Sequence, residues 1–258
     1  MTASTTAPDP GTVTATIADG VATVSFFHPK GNSLPSSLLR QLADTIGEVG
    51  RSRDARVIYL RSEGGGPFCA GASFDELTSI ENESQGTEFF MGFARVILAM
   101  RDAPQFILTR VHGKVAGGGI GICAASDYCI AMTTASIKLS ELAVGIGPFV
   151  VGPAVERKMG VGAFQALTVD ADFFSAAWAA QHGLYAKVAE TPAEFDALLG
   201  STLKKLTHAN PEAMTLLKRT FWAGTEHWPT LLPERAAMSG RLVLSDFTRR
   251  AIARFKGK

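Results

Sequence analysis

No stretch of the sequence approaches the roughly twenty consecutive apolar residues that a membrane-spanning helix needs, so no membrane partner is expected. Cysteine is scarce. Cys69, Cys123 and Cys129 form no C-x-x-C pair and no Cys/His spacing suited to a metal. They read as reduced core thiols, with no metal site and no disulfide framework, in a reducing compartment taken to be the cytoplasm. An excess of charge of one sign is missing as well. With 25 Lys and Arg against 24 Asp and Glu, the formal net charge is +1. That balance excludes a nucleic-acid binder relying on bulk attraction to phosphate. Repeats and low-complexity segments are absent. Residues 1–11 lack both the apolar stretch of a signal peptide and the arginines of a transit peptide, and read as a disordered tail. Asn82-Glu83-Ser84 matches a glycosylation acceptor by accident, given no secretion signal.

What is present is a hydrophobic content of 46% over 258 residues, enough for one well-filled domain with an appendage. Thr12 to Ile17 and Val21 to Phe27 are β-rich runs around Asp19-Gly20, which predicts a hairpin. Leu34 to Val49 has helical spacing. Arg56 to Leu60 predicts a strand that enters a glycine-rich loop, Ser62 to Gly71. A helix is expected over Phe89 to Met100 and strands over Phe106 to Val111 and Tyr128 to Met132. The segment Asn82 to Gly86 reads as mobile. Strands alternating with helices define an α/β core over about 12–191. From Pro192 the periodicity becomes helical throughout, giving a helical region over 192–258 in which Pro211, Pro229 and Pro233 mark starts or breaks.

Two loops share a design in which a strand ends, small residues follow and a helix begins. One is Pro67-Phe68-Cys69-Ala70-Gly71-Ala72-Ser73-Phe74, the other His112-Gly113-Lys114-Val115-Ala116-Gly117-Gly118-Gly119-Ile120. Small residues let a ligand approach the backbone, and a helix N-terminus offers free N–H groups. Tight turns and close packing explain either loop alone equally well. Neither loop fits the G-x-G-x-x-G fingerprint or the P-loop, so phosphate cradling is not the default reading.

Taken together and in this order, FCAGAS and VAGGGIG, followed by Ala125-Ser126-Asp127, resemble the enoyl-CoA hydratase/isomerase (crotonase) superfamily. The resemblance runs from the strand near Val21 to about Val188, and more loosely through the C-terminal helices. It implies a crotonase-like α/β fold, a spiral of ββα turns with a helical C-terminal trimerisation region, and hence a homotrimer or a hexamer. It implies an acyl-CoA thioester as substrate, with coenzyme A entering as part of that substrate and no separate cofactor. By the family pattern, the backbone N–H groups of Ala72 and Gly118 form an oxyanion hole, with Ala70 and Gly117 beside them. Ser73 departs from the family's usual Asp, a change that touches loop support more than the donors.

The family's hydratases place one glutamate just after the glycine run and another twenty residues later. Here the first position is Gly121 and the second is Glu141. Hydration divides its work between two carboxylates, whereas moving a double bond needs one group that removes a proton and returns it elsewhere. A lone Glu141 therefore resembles the Δ3,Δ2-enoyl-CoA isomerases. The alternatives are an enoyl-CoA hydratase or related lyase using one Glu, and a low-activity acyl-CoA-binding homologue. The family's dehalogenases carry a nucleophilic aspartate where this chain has Phe149, which excludes that activity and makes the wall there apolar. His28, Lys30 and Asn32 fall where relatives contact the nucleotide of coenzyme A. Lys30 reads equally well as a solvated side chain. The basic end, Arg249 to Lys258, is narrower than the patch an RNA-binding branch of the family would require.

Overall fold

In the computed structural model, which describes residues 11–256, β1 (Thr12–Ala18) and β2 (Val21–Phe27) form the predicted hairpin, with Ala18 opposite Val21. Of the expected tail, only Gly11 lies within the described residues. A short β3 (Ser33–Leu34) precedes α1 (Ser36–Arg51), so Leu34 is extended and not helical. The cause is Pro35, whose ring disfavours helical backbone in the residue before it. Leu38, Leu39, Leu42 and Ile46 recur at helical spacing and form the buried face of α1.

The chain then repeats one pattern. β2 and the next three strands of the main sheet each run into a second, very short strand and then a helix. β4 (Val57–Ser62) leads to β5 (Gly71–Ala72), α2 (Phe74–Ser79) and α3 (Glu83–Asp102). β6 (Phe106–Val111) leads to β7 (Val115–Ala116) and α4 (Gly118–Ala125). β8 (Tyr128–Met132) leads to β9 (Ile137–Lys138), the 3-10 turn Leu142–Val144, α5 (Gly152–Met159), α6 (Val161–Asp170) and α7 (Ala176–Gln181). The main sheet is ordered β1-β2-β4-β6-β8-β10, with β10 spanning Lys187–Ala189, and every pair after the hairpin is parallel. The short strands pair as β3-β5 and β7-β9, joined by a bridge between Cys69 and Val115. This is the expected spiral of ββα turns. The central strands are apolar on both faces (Ile58, Leu60, Ile107, Leu108, Ile130) because helices cover both sides.

Four helices follow: α8 (Pro192–His208), α9 (Pro211–Phe221), α10 (Trp228–Leu242) and α11 (Asp246–Lys256). Pro211 starts α9, with Asn210 as its cap, and Pro229 lies in the first turn of α10. Pro233, however, sits inside α10 and does not break it. The missing N–H forfeits one backbone bond, but the helix is held by burial of Trp228, Leu232, Ala236 and Gly240, and α3 is its main packing partner. Asn82 to Gly86 also differs from expectation. Asn82 caps α3, its side-chain oxygen accepting the Gln85 N–H (3.0 Å), and Gly86 is buried in the crossing with α10. The segment is an anchored helix start. Among the described residues, no helix is long and apolar enough to cross a membrane.

Asp127, the last residue of the Ala125-Ser126-Asp127 signature, ties the helical end to the sheet. Its Oδ2 accepts the Ile107 N–H (2.7 Å) and the ammonium of Lys218 on α9 (2.9 Å), and Lys218 also reaches the Gln105 carbonyl (2.8 Å). Both side chains are buried. Burial lowers the Lys218 pKa, and the adjacent Asp127 opposes that shift.

Candidate active site

The two small-residue loops lie side by side at the end of the sheet. Ala116 donates its N–H to the Cys69 carbonyl (2.8 Å), and Gly117 donates to the Lys138 carbonyl (2.9 Å). These bonds draw β5, β7 and β9 into one short layer. Side chains are excluded from the seam, since a Cβ on Gly71 would come within 3.3 Å of the Ala116 carbonyl oxygen. Ser73 gives its N–H to the Leu34 carbonyl (2.9 Å).

Gly117 caps α4 with φ 51 and ψ −125, a conformation that L side chains rarely adopt. Gly118 is the first residue of that helix, and its N–H therefore has no acceptor within it. Packing demands a glycine here too, because a Cβ on Gly118 would lie 2.4 Å from the ring of Phe93. Tight packing and a helix-terminal N–H without an intrahelical acceptor coincide at this residue.

Glu141 follows β9, which is hydrogen-bonded to the second loop. Its Oε1 lies against Gly117, 3.2 Å from where that residue's Cβ would stand. The residue as a whole is partly exposed, yet its Oε2 is sealed from solvent and has no hydrogen-bond partner among the described residues. Burial pushes its pKa up to about 7, against a smaller lowering by hydrogen bonds from the backbone at Glu141 and Ser140. At such a value the carboxyl both accepts and donates a proton near neutrality.

Ala70, Ala72, Gly117, Gly118 and Glu141 line one cavity of about 160 Å³. Apart from Ser140 and Ser239, its remaining wall is apolar and rich in rings, with Phe74, Phe89, Phe90, Phe93 and Phe149. Leu77, Phe89 and Phe90 come from the α2 and α3 segments that follow the first loop. Phe93, which abuts Gly118, has no local signal in the sequence; only the folded helix turns it inward. Ser73 caps α2 by accepting the Glu76 N–H (3.3 Å), the supporting role its position implies.

At Gly121 the structure is decisive about space. A Cβ there would stand 2.6 Å from Cγ1 of Val151 and 3.2 Å from Cδ1 of Ile97. The place of a second carboxylate is filled by two aliphatic side chains. Cys69 lies behind the first loop, but burial pushes its thiol up to about 12, which leaves no thiolate for nucleophilic work.

His28 and Lys30 do not line the cavity. The His28 N–H donates to the Asn32 side-chain oxygen (2.8 Å), and the Asn32 amide donates to the carbonyls of Glu63 and Pro67 (3.0 Å each). Asn32 is buried, so its work is to shape this loop. Lys30 is exposed and pairs with Asp75 of α2, between the lining residues Phe74 and Leu77.

A largely apolar cavity lined by Ala72, Gly118 and one carboxylate suits an enzyme that stabilises charge on a carbonyl oxygen while moving a proton nearby. Residues 16–256 match the enoyl-CoA hydratase/isomerase family, and the chain belongs to that family of acyl-CoA enzymes. It is 32% identical over 132 residues to the "(7aS)-7a-methyl-1,5-dioxo-2,3,5,6,7,7a-hexahydro-1H-indene-carboxyl-CoA hydrolase" of Rhodococcus jostii (strain RHA1), covering 51% of each chain. The match thus spans about half the length of that relative, and 55% of its counterpart from Mycobacterium tuberculosis (strain ATCC 25618 / H37Rv). Identity to the short-chain-enoyl-CoA hydratase of Clostridium acetobutylicum is 28% over 208 residues, covering 80% of this chain and 79% of that one. The crystal structure of an enoyl-CoA hydratase from Bacillus halodurans superposes with a TM-score of 0.87, over 94% of this chain and 99% of that one. At 18% identity, that likeness establishes the fold alone.

Proposed function

We propose that the protein is an enoyl-CoA isomerase that moves a double bond from the 3 to the 2 position. The observation that carries this reading is the occupancy at Gly121, where Val151 and Ile97 fill the space of a second carboxylate and leave Glu141 as the one carboxylate in the cavity wall. The thioester oxygen sits between the N–H groups of Ala72 and Gly118. Glu141 takes a proton from C2, and the electron pair of that C–H bond delocalises onto the oxygen, where the two N–H groups hold the charge. The same carboxyl then returns the proton to C4 as the double bond settles between C2 and C3. A carboxyl with a pKa of about 7 suits this two-way transfer. The apolar wall at Phe149 admits an alkyl chain and disfavours an ordered water, and no cofactor is needed. His28 and Lys30 are assigned to the nucleotide end of coenzyme A, outside the cavity.

The relatives described as hydratases and hydrolases set the competing outcomes. Purified protein is offered 3-enoyl-CoA and 2-enoyl-CoA separately and the products identified. Migration of the double bond without uptake of water is expected. Water uptake without migration would sink the isomerase reading in favour of a one-glutamate hydratase, and binding without turnover would favour a low-activity acyl-CoA-binding homologue. Glu141→Gln is expected to lower kcat by about a hundredfold or more, the scale of lost general acid–base catalysis. Unchanged turnover would remove Glu141 from the role.

A further inference from the structure

The backbone that follows Glu141 is held from outside the two loops. After the 3-10 turn, Gly145 reverses the chain with φ +84. The peptide unit joining Gly145 to Ile146 is then fixed at both ends. Its N–H, on Ile146, donates to the backbone carbonyl of Glu141 (2.9 Å). Its carbonyl, on Gly145, accepts from the hydroxyl of Thr248 (3.1 Å). Thr248 is fully buried on α11, and its oxygen accepts in turn from the Ser245 hydroxyl (3.1 Å). A hydroxyl has one hydrogen, and that of Thr248 is committed to Gly145. Phe247 covers the same spot, for a Cβ on Gly145 would come within 2.5 Å of its ring. One turn further along α11, Ile252 packs with Ile146, in a cluster that includes the cavity residues Phe74 and Phe90.

We propose that Thr248 is a positioning residue for Glu141. Its hydrogen bond to the Gly145 carbonyl passes through the Gly145–Ile146 peptide to the Glu141 carbonyl and fixes the backbone from which the carboxylate reaches the substrate. The inference rests on the reading of Glu141 as the acid/base. A peptide unit is planar and stiff, so holding its oxygen orients its N–H. Displacing a catalytic group by about 1 Å costs on the order of a hundredfold in rate, so a single tether can matter. Valine has nearly the shape of threonine but no hydroxyl. At position 248 it would leave the Gly145 carbonyl and the Ser245 hydroxyl without this partner.

The test uses the full-length protein with 3-enoyl-CoA as substrate and hexanoyl-CoA as a binding probe. Thr248→Val is expected to lower kcat about tenfold while KM and the Kd for hexanoyl-CoA stay within about threefold, because the cavity walls are untouched. Thr248→Ser, which keeps the donor, restores kcat. Hydrogen exchange at the Ile146 amide speeds up in Thr248→Val and not in Thr248→Ser. A parental kcat with parental Ile146 exchange in Thr248→Val overturns the proposal. So does a serine variant as impaired as the valine one, since packing would then be the cause. Should Thr248→Val fail to fold, Ser245→Ala removes the hydroxyl that donates to the Thr248 oxygen (3.1 Å) and accepts the Thr248 N–H (3.2 Å), and a loss in kcat of about threefold is expected. An unchanged kcat and Ile146 exchange there would count against the proposal. Glu141→Gln separates the two readings. If it is inactive while Thr248→Val behaves as the parent, the tether alone is refuted; if Glu141→Gln is fully active, the base assignment falls first.

Discussion

On the proposed reading, Glu141 concentrates the chemistry in one titration. Its twenty-residue spacing from Gly121 was readable, but its environment was not, because the sealing of Oε2 depends on residues brought together only by the fold. A base must be ionised to take a proton, so kcat/KM for 3-enoyl-CoA should rise with pH through about 7 and level off above it. A profile flat from pH 5.5 to 8.5 would show that another group, or none, titrates. The same shift acts on stability with the opposite appeal. The folded pKa, about 7, lies above the ordinary 4.5, so the native state binds the extra proton between those values. Stability contributed at this site is therefore highest below 4.5 and is lost as pH rises to 7, by about 3 kcal/mol as an upper bound. Glu141→Gln should accordingly melt higher than the parent at pH 8 and no higher at pH 4, as thermal scans at the two pH values would show. A carboxylate selected for packing alone would have no reason to carry that cost. At the residue scale, then, Ala72, Gly118 and Glu141 were legible from motif and spacing. Val151, Phe93 and Thr248 were not, since each acts through a contact across more than twenty residues of chain.

Among the elements, hairpin and strand positions were the most readable, because alternation and bounding turns are local signals. The helix of Glu83–Asp102 was only half legible. Phe89 to Met100 announces itself by periodicity, whereas the start at Asn82 looked mobile because it is polar and contains a glycine. What orders it is remote. A Cβ on Gly86 would stand 2.7 Å from the Cα and carbonyl oxygen of Gly240, so α3 and α10 cross backbone to backbone. That crossing also orients Phe89, Phe90 and Phe93 into the cavity. Gly86→Ala should therefore destabilise the protein by about 1–3 kcal/mol, through forced separation of two helices whose touching atoms are backbone. Gly200→Ala, in the interior of α8 with open space around it, should stabilise by about 0.5–1 kcal/mol through helix propensity. Urea midpoints of the two variants, compared with the parent, check both signs. If Gly86→Ala were neutral, the close crossing would not be what fixes α3.

At the scale of the whole molecule, the change of texture at Pro192 coincides with the start of α8, yet the helices beyond it are built into the core. Trp222, Trp228 and Leu232 share the main hydrophobic cluster with the central strands, and Lys218 reaches Asp127 at the head of β8. What these helices leave uncovered bears on assembly, which we propose is trimeric. On α9, Met214 and Lys218 are buried, while Leu216 is 53% exposed and Leu217 46% exposed. Leu217 and Phe221 stand one turn apart on the same side of the helix, and Phe221 is itself half exposed although it stacks on Phe106. Large apolar side chains grouped in this way call for a partner surface. Light scattering coupled to size exclusion should give a mass about three times the chain's 27.3 kDa, or twice that trimer mass if trimers pair. Leu216→Glu with Leu217→Glu spares both the Phe106–Phe221 stack and the Lys218–Asp127 pair. The variant should therefore fold, with a far-UV spectrum like the parent's, and elute as a single chain. A parent that stays monomeric at micromolar concentration would refute the assembly outright. A charged double variant that still forms trimers would move the interface away from α9 and leave these leucines unexplained.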